Sequence, residues 1–221
     1  MLEMVKEAEY ELLHYPKRSK LKRGMKTLAG KKQEPADKIN WPNGLLAKSL
    51  VDYYMQNKNS EEARIIIKCL QKYYDRWIKK GCKMHYLDDA FSGMALIDLH
   101  AITGEEKYKK AADAMFHYLM EHETDRAGSF PYRPKQKTDY IFADGIGLVC
   151  PFLCKYGSTY QDINALNLAV TQIQNFISKG MDEKTGLPYH GYHYESGVKY
   201  GIIGWGRAVG WLMIGMAESL A

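Results

Sequence analysis

Residues 86–121, YLDDAFSGMALIDLHAITGEEKYKKAADAMFHYLME, read as two helices of opposite character joined by a tight turn. From Tyr86 to Ile102 the segment is apolar nearly all round, so a helix there must be buried on most sides. Thr103–Gly104 stops it, because glycine takes the left-handed conformation that ends a helix without a Cβ clash. From Glu105 to Glu121 the apolar residues Tyr108, Ala111, Ala112, Met115 and Leu119 recur at helical spacing, with Lys and Glu between them. That is an amphipathic helix with one face in solvent. The pair predicts a helix hairpin with an inner and an outer member.

The same alternation runs outward in both directions. Apolar segments start at Gly44, Asp144 and Trp205, and amphipathic ones at Ser60 and Gln161. Pro16 stops a first helix from Leu2 to Tyr15, Asn40–Trp41–Pro42 opens the next, Ser60 caps the one through Lys79, and Gly81 ends it. Gly157 is expected to close the helix that begins near Asp144, the segments 124–139 and 179–204 read as extended loops, and Trp205 to Leu220 is a final helix. Runs of β-branched residues bounded by turns are nearly absent. The expectation is an all-α chain of about eight helices in two concentric layers, forming a single domain over 1–221.

Composition excludes several function classes. The formal net charge of +5 suits an anionic partner, but the basic residues form no stripe interleaved with aromatics, which argues against nucleic acid. The densest basic run, Lys17 to Lys32, lacks apolar periodicity and reads as a solvated loop. Cys69, Cys82, Cys150 and Cys154 stand at spacings that make neither a metal knuckle nor a disulfide framework, so no metal is expected. Met1 to Leu13 contains acids and has no continuous apolar core of the kind a secretory signal needs, and no later stretch is apolar enough for a membrane span, so a cytoplasmic location is expected.

The loops ahead of the inner helices carry carboxylates, aromatics and basic groups. Asp88, Asp89 and Asp144 lie at or inside the first turns of helices otherwise too apolar to accept a charge. Each could be a helix cap that accepts backbone N–H bonds. Equally, a partly desolvated carboxyl can stay protonated as a general acid, and Asp144 is the choice for that group. Trp41, Trp205 and Trp211, with Tyr132, Tyr189, Tyr192 and Tyr194, offer rings that suit the apolar C–H faces of sugars, or else ordinary core packing. His190, in TGLPYHGYHYE, could bond a substrate hydroxyl or carboxylate, with His193 a weaker candidate. Arg207, in GWGRAVGW, could fork around an anionic sugar or neutralise a buried aspartate.

Four ordered blocks, LDDAFSGMALIDLHAITGEEKYKKAAD, FADGIGLVCPFLCKYG, TGLPYHGYHYE and GWGRAVGW, resemble the unsaturated glucuronyl and rhamnogalacturonyl hydrolases of glycoside hydrolase families 88 and 105. The resemblance implies an (α/α)6-barrel toroid that needs no metal or organic cofactor. It implies as substrate an anionic unsaturated oligosaccharide, whose terminal uronic acid carries a C4=C5 vinyl ether. In such enzymes an aspartic acid protonates C4 and water adds at C5; the hemiketal then collapses, and the neighbouring sugar is released. It implies that Asp144 is the acid, that Asp88 or Asp89, with Asp88 preferred, is the second essential carboxylate, and that His190, Trp205, Arg207 and Trp211 line the sugar site, with Trp41 and Asn43 in the first loop. The family pattern commonly has tryptophan–leucine before the catalytic aspartate–glycine and a histidine further upstream, where this chain has Phe142–Ala143 and Arg133. Arg133 could still meet an anionic sugar.

The family barrel continues with further helices beyond those counted here. A partial ring would leave apolar flanks exposed, and the expectation is a homo-oligomer or a complementing chain that covers them. Two other readings remain: a catalytically silent member that binds sugars or partners, and a sugar 2-epimerase, which would want several inner-helix histidines that this chain lacks.

Overall fold

The computed structural model describes residues 2–13, 39–132 and 139–220. The basic run Lys17 to Lys32 and Arg133 lie outside the described residues, so the expectations placed on them are not addressed. Helix α1 covers residues 2–13. It is followed by α2 (Trp41–Gln56), α3 (Glu61–Ile78), a 3-10 turn (Leu87–Ser92), α4 (Gly93–Thr103) and α5 (Glu106–Met120). Strand β1 (Tyr140–Phe142) leads into α6 (Ala143–Tyr160), then come α7 (Ile163–Gly180), β2 (Gly191–His193), β3 (Lys199–Tyr200) and α8 (Gly206–Leu220).

Helix boundaries follow local chemistry. Asn40 caps α2 by accepting from the Asn43 N–H at 3.0 Å, and Ser60 caps α3 by accepting from the Ala63 N–H at 3.1 Å. Gly81 and Gly104 take φ values of +85° and +68°, as their stop positions require. Ser60→Ala is expected to lower stability by about 1 kcal/mol, read by urea denaturation, with no change elsewhere.

Layering follows apolar character. α4 packs on α2, α5 and α6, while α6 also packs on α7 and α8, so the apolar helices α2, α4, α6 and α8 are inner and α3, α5 and α7 back them. The last inner helix also meets the first. Trp41 sits edge-on to Trp211 with centroids 5.4 Å apart, and Lys48 pairs with Glu218 at 3.5 Å. Among the described residues these elements form a two-layer helical toroid, of the (α/α) kind expected. On the outer flank of α8, Met213 and Leu220 are 65% and 88% exposed. No helix of the described residues is long and apolar enough to cross a membrane.

Three local expectations are corrected. The helix from Tyr86 begins instead as a 3-10 turn, because the Asp89 carboxylate accepts from the N–H groups of His85 and Tyr86 at 2.8 and 3.1 Å and winds the entry tighter. Gly157 does not end α6; the helix runs on to Tyr160 and Gln161 closes it at φ 57°. Gly157 is small for another reason, since a Cβ there would stand 2.7 Å from Leu166 and 2.9 Å from the Asp162 carbonyl at the close approach of α7. The loop 179–204 contains two strands that pair antiparallel in the order β1-β2-β3. Strands of two or three residues are too short for alternation to show in a sequence.

Candidate active site

The short sheet assembles the site. Phe142 pairs with Gly191, and the Ala143 N–H donates to the His190 carbonyl at 3.0 Å, so the first turn of α6 is tied to the loop that carries His190. Phe142 occupies the cap position of α6. Asp144 is the second residue of α6, inside its first turn, and its carboxylate meets two side chains. His190 Nε2 stands 3.1 Å from Oδ2, and Arg207 Nε stands 3.3 Å from Oδ1. A second Arg207 nitrogen approaches His190 Nε2 at 3.3 Å. Asp144 is thus the centre of a three-residue cluster rather than a cap.

Aromatic rings fix the two basic members. His190 lies flat on Phe142, with centroids 4.3 Å apart and planes 15° apart, and Trp205 meets it edge-on at 4.5 Å. The Arg207 guanidinium rests over Trp205 at 4.0 Å. Burial holds the His190 imidazole below its ordinary pKa of 6.5; Asp144 pulls the other way, and Arg207 adds to the depression. His190 is therefore neutral near pH 7 and can offer Asp144 one N–H, depending on tautomer.

A depressed histidine has a stability consequence. Between its native pKa and 6.5 the unfolded chain binds the proton that the folded chain refuses, so stability falls as pH drops through that window. His190→Gln should flatten the fall of Tm below pH 6.5 relative to wild type in paired thermal melts. Parallel curves would refute this.

These groups face a cavity of about 670 Å³ lined by Asp144, His190, Arg207, Trp41, Trp211, Tyr132 and Phe142, among others. Its size and its mix of rings with a few convergent polar groups suit a small organic ligand. Asp88 is 4% exposed and does not line the cavity; Tyr132, which does, donates from its hydroxyl to Asp88 Oδ2 at 3.1 Å. The second carboxylate reaches the site through that phenol.

Other expected site residues fall elsewhere. Asp89, expected near substrate, is 1% exposed and spends its carboxylate on the backbone of His85 and Tyr86. Asp89→Ala would strand two N–H groups, and about 2–4 kcal/mol of stability should be lost, visible as a lower Tm. Asn43 is buried in the first turn of α2, away from the cavity lining. Trp205 is not among the cavity-lining residues and instead packs on His190 and Arg207. Tyr192, offered as a sugar platform, is fully buried against Phe176 and bonds Ser129, because strand alternation turns it inward.

Sequence reasoning missed Gln172. Its amide accepts from the Phe130 N–H at 2.8 Å and donates to the Gly128 carbonyl at 2.7 Å, clamping the loop that delivers Tyr132. A glutamine on an amphipathic helix carries no signal of such a partner. No group of three His, Cys, Asp or Glu side chains able to hold a metal ion occurs among the described residues.

The sequence pattern of Glycosyl Hydrolase Family 88 matches residues 6–221. The chain belongs to glycosyl hydrolase family 88. The unsaturated rhamnogalacturonyl hydrolase YesR of Bacillus subtilis (strain 168) is 24% identical over 187 residues, which cover 82% of this chain and 53% of that protein. Among solved structures, a family 105 glycoside hydrolase of C. acetobutylicum ATCC 824 superposes with a TM-score of 0.71 at 24% identity, covering 83% of this chain and 54% of its own. A possible family 105 member from Klebsiella pneumoniae subsp. pneumoniae MGH 78578 gives 0.73 at 18% identity, with 86% and 49% covered. These structures share the helical toroid. The family 88 chain spans about half the length of the relatives it matches.

Proposed function

We propose that this family 88 chain carries the catalytic pocket of a glycoside hydrolase that removes a 4,5-unsaturated uronic acid from pectin-derived oligosaccharides. The supporting observation is a carboxyl, Asp144, held between a neutral His190 and a cationic Arg207 at an aromatic-walled cavity. The Arg207 side chain is 53% exposed, which leaves donors for the sugar carboxylate. Trp41 and Trp211 form an apolar wall for the ring face.

In the proposed reaction the Asp144 carboxyl gives its proton to C4, and the electron pair of the C4=C5 bond forms the new C4–H bond. The cation left at C5 is stabilised by the ring oxygen. Water adds there, returning its proton to Asp144, and the product is a hemiketal. Cleavage of its bond to the ring oxygen leaves a ketone at C5 and a hemiacetal at C1, which releases the neighbouring sugar. The role assigned to His190 is to orient the Asp144 carboxyl through the 3.1 Å contact. Asp88, through the Tyr132 hydroxyl, sets the polarity of the wall that Tyr132 forms beside Phe142.

The test is loss of the ultraviolet absorbance of the C4=C5 bond on incubation with unsaturated rhamnogalacturonan and glycosaminoglycan disaccharides side by side. Faster loss with the rhamnogalacturonan product is expected. Binding without any loss of absorbance would replace the hydrolase reading with that of a sugar-binding member of the family.

A further inference from the structure

The sheet beside the cavity has the wrong outer face for a solvated surface. Strand alternation and register put Ile141, Tyr192 and Lys199 on one face and Tyr140, Phe142, Gly191, His193 and Tyr200 on the other. Ile141 and Tyr192 are buried at 2% and 0%, so the first face is the core side. The second should be polar. It is instead paved with rings. Tyr140 and Phe142 lie parallel within 7° at 5.8 Å, and Tyr200 stands 4.7 Å from Tyr140 and 5.9 Å from Phe142.

Gly191 makes the pavement possible. A Cβ at this position would stand 2.2 Å from the Ile141 carbonyl oxygen and 2.7 Å from Phe142 Cδ1, so any larger residue would push β2 off β1 and displace that ring. Phe142 belongs to both surfaces: it lines the cavity and stacks on His190, and it abuts Tyr140 and Tyr200. Tyr200 is 46% exposed. The ring surface therefore runs without a break from the Asp144 cluster onto the outside of the sheet.

We propose that Tyr140 and Tyr200 form a further carbohydrate subsite, which takes a sugar unit of the same oligosaccharide beyond the disaccharide end that the cavity holds. Pyranose rings present an apolar C–H face to such a pavement, and the phenol hydroxyls can bond the equatorial hydroxyls at its edge. Continuity with the cavity selects a sugar chain as the occupant, so the proposal rests on the oligosaccharide reading of that cavity. The consequence is a preference for tetrasaccharides over disaccharides.

The measurement compares KM for an unsaturated rhamnogalacturonan disaccharide and tetrasaccharide. Wild type should show a KM for the tetrasaccharide lower by roughly fivefold to tenfold, one ring contact's worth. Tyr200 also touches His190, at 5.9 Å between rings, so the readout is the ratio of the two substrates: Tyr200→Ala should bring the two KM values together whatever its effect on kcat, and Tyr200→Phe should keep most of the difference. Equal KM values in wild type, or a preference that survives in Tyr200→Ala, overturns the subsite. Calorimetric binding of the saturated tetrasaccharide and disaccharide separates the two readings. Length-dependent affinity that Tyr200→Ala removes, in a protein without turnover, supports the subsite and sinks only the hydrolase. Affinity independent of length sinks the subsite whatever the turnover.

Discussion

Asp144→Asn is expected to lower kcat for loss of the C4=C5 absorbance by about a thousandfold or more, with Tm within a few degrees of wild type. Asparagine keeps the shape of the side chain and the contact to His190, but it has no acidic proton to give to C4. The weakened contact with Arg207 matters little for stability, because that arginine is half exposed and screened by water. The effect should therefore appear in kcat, with KM changing by a small factor. Asp88→Asn gives the contrast: the carboxylate lies behind Tyr132, so a smaller loss of about tenfold to a hundredfold is expected. A turnover in Asp144→Asn within tenfold of wild type would remove Asp144 from the acid role, and with it the proposed mechanism.

What the sequence disclosed follows from how far each signal reaches. Helix identity is a matter of 3.6-residue periodicity over many residues, so the alternation of apolar and amphipathic segments exposed both layers, and Gly81 and Gly104 marked their stops. Asp144 stood out because an apolar first turn rarely hosts a charge. The same logic put Asp89 beside it with capping as the alternative, and Asp89 takes the capping role, since a carboxylate turned onto its own backbone and one turned to a cavity look alike in sequence. Tyr192 failed for a related reason: a strand of three residues has no period to read, so its inward face was invisible. The Gln172 clamp and the Tyr132–Asp88 bond join residues more than forty positions apart, and no local pattern announces them.

The crossing of α6 and α8 depends on a missing side chain. A Cβ at Gly147 would stand 2.4 Å from the Trp211 carbonyl oxygen, and one at Gly215 would stand 2.9 Å from the Ile146 carbonyl oxygen. Both obstacles are backbone, which has no rotamer to move. Gly147→Ala gains up to about 1 kcal/mol from helix propensity and loses about 1–3 kcal/mol to overpacking. The 2.4 Å contact puts the loss near the top of that range, so a net fall of about 2 kcal/mol is expected, or roughly 4–8 °C in Tm. Forcing the helices apart also moves Trp211 off Trp41, so KM should rise. Gly210→Ala is the control. It lies in the same helix α8 with nothing within 4 Å of its Cβ, so propensity acts alone and stability should rise by about 0.5–1 kcal/mol. Opposite signs from one substitution at two helical glycines would show that backbone approach, not glycine itself, sets the packing of the cavity wall; a Gly147→Ala protein as stable as wild type would show that the two helices can slide.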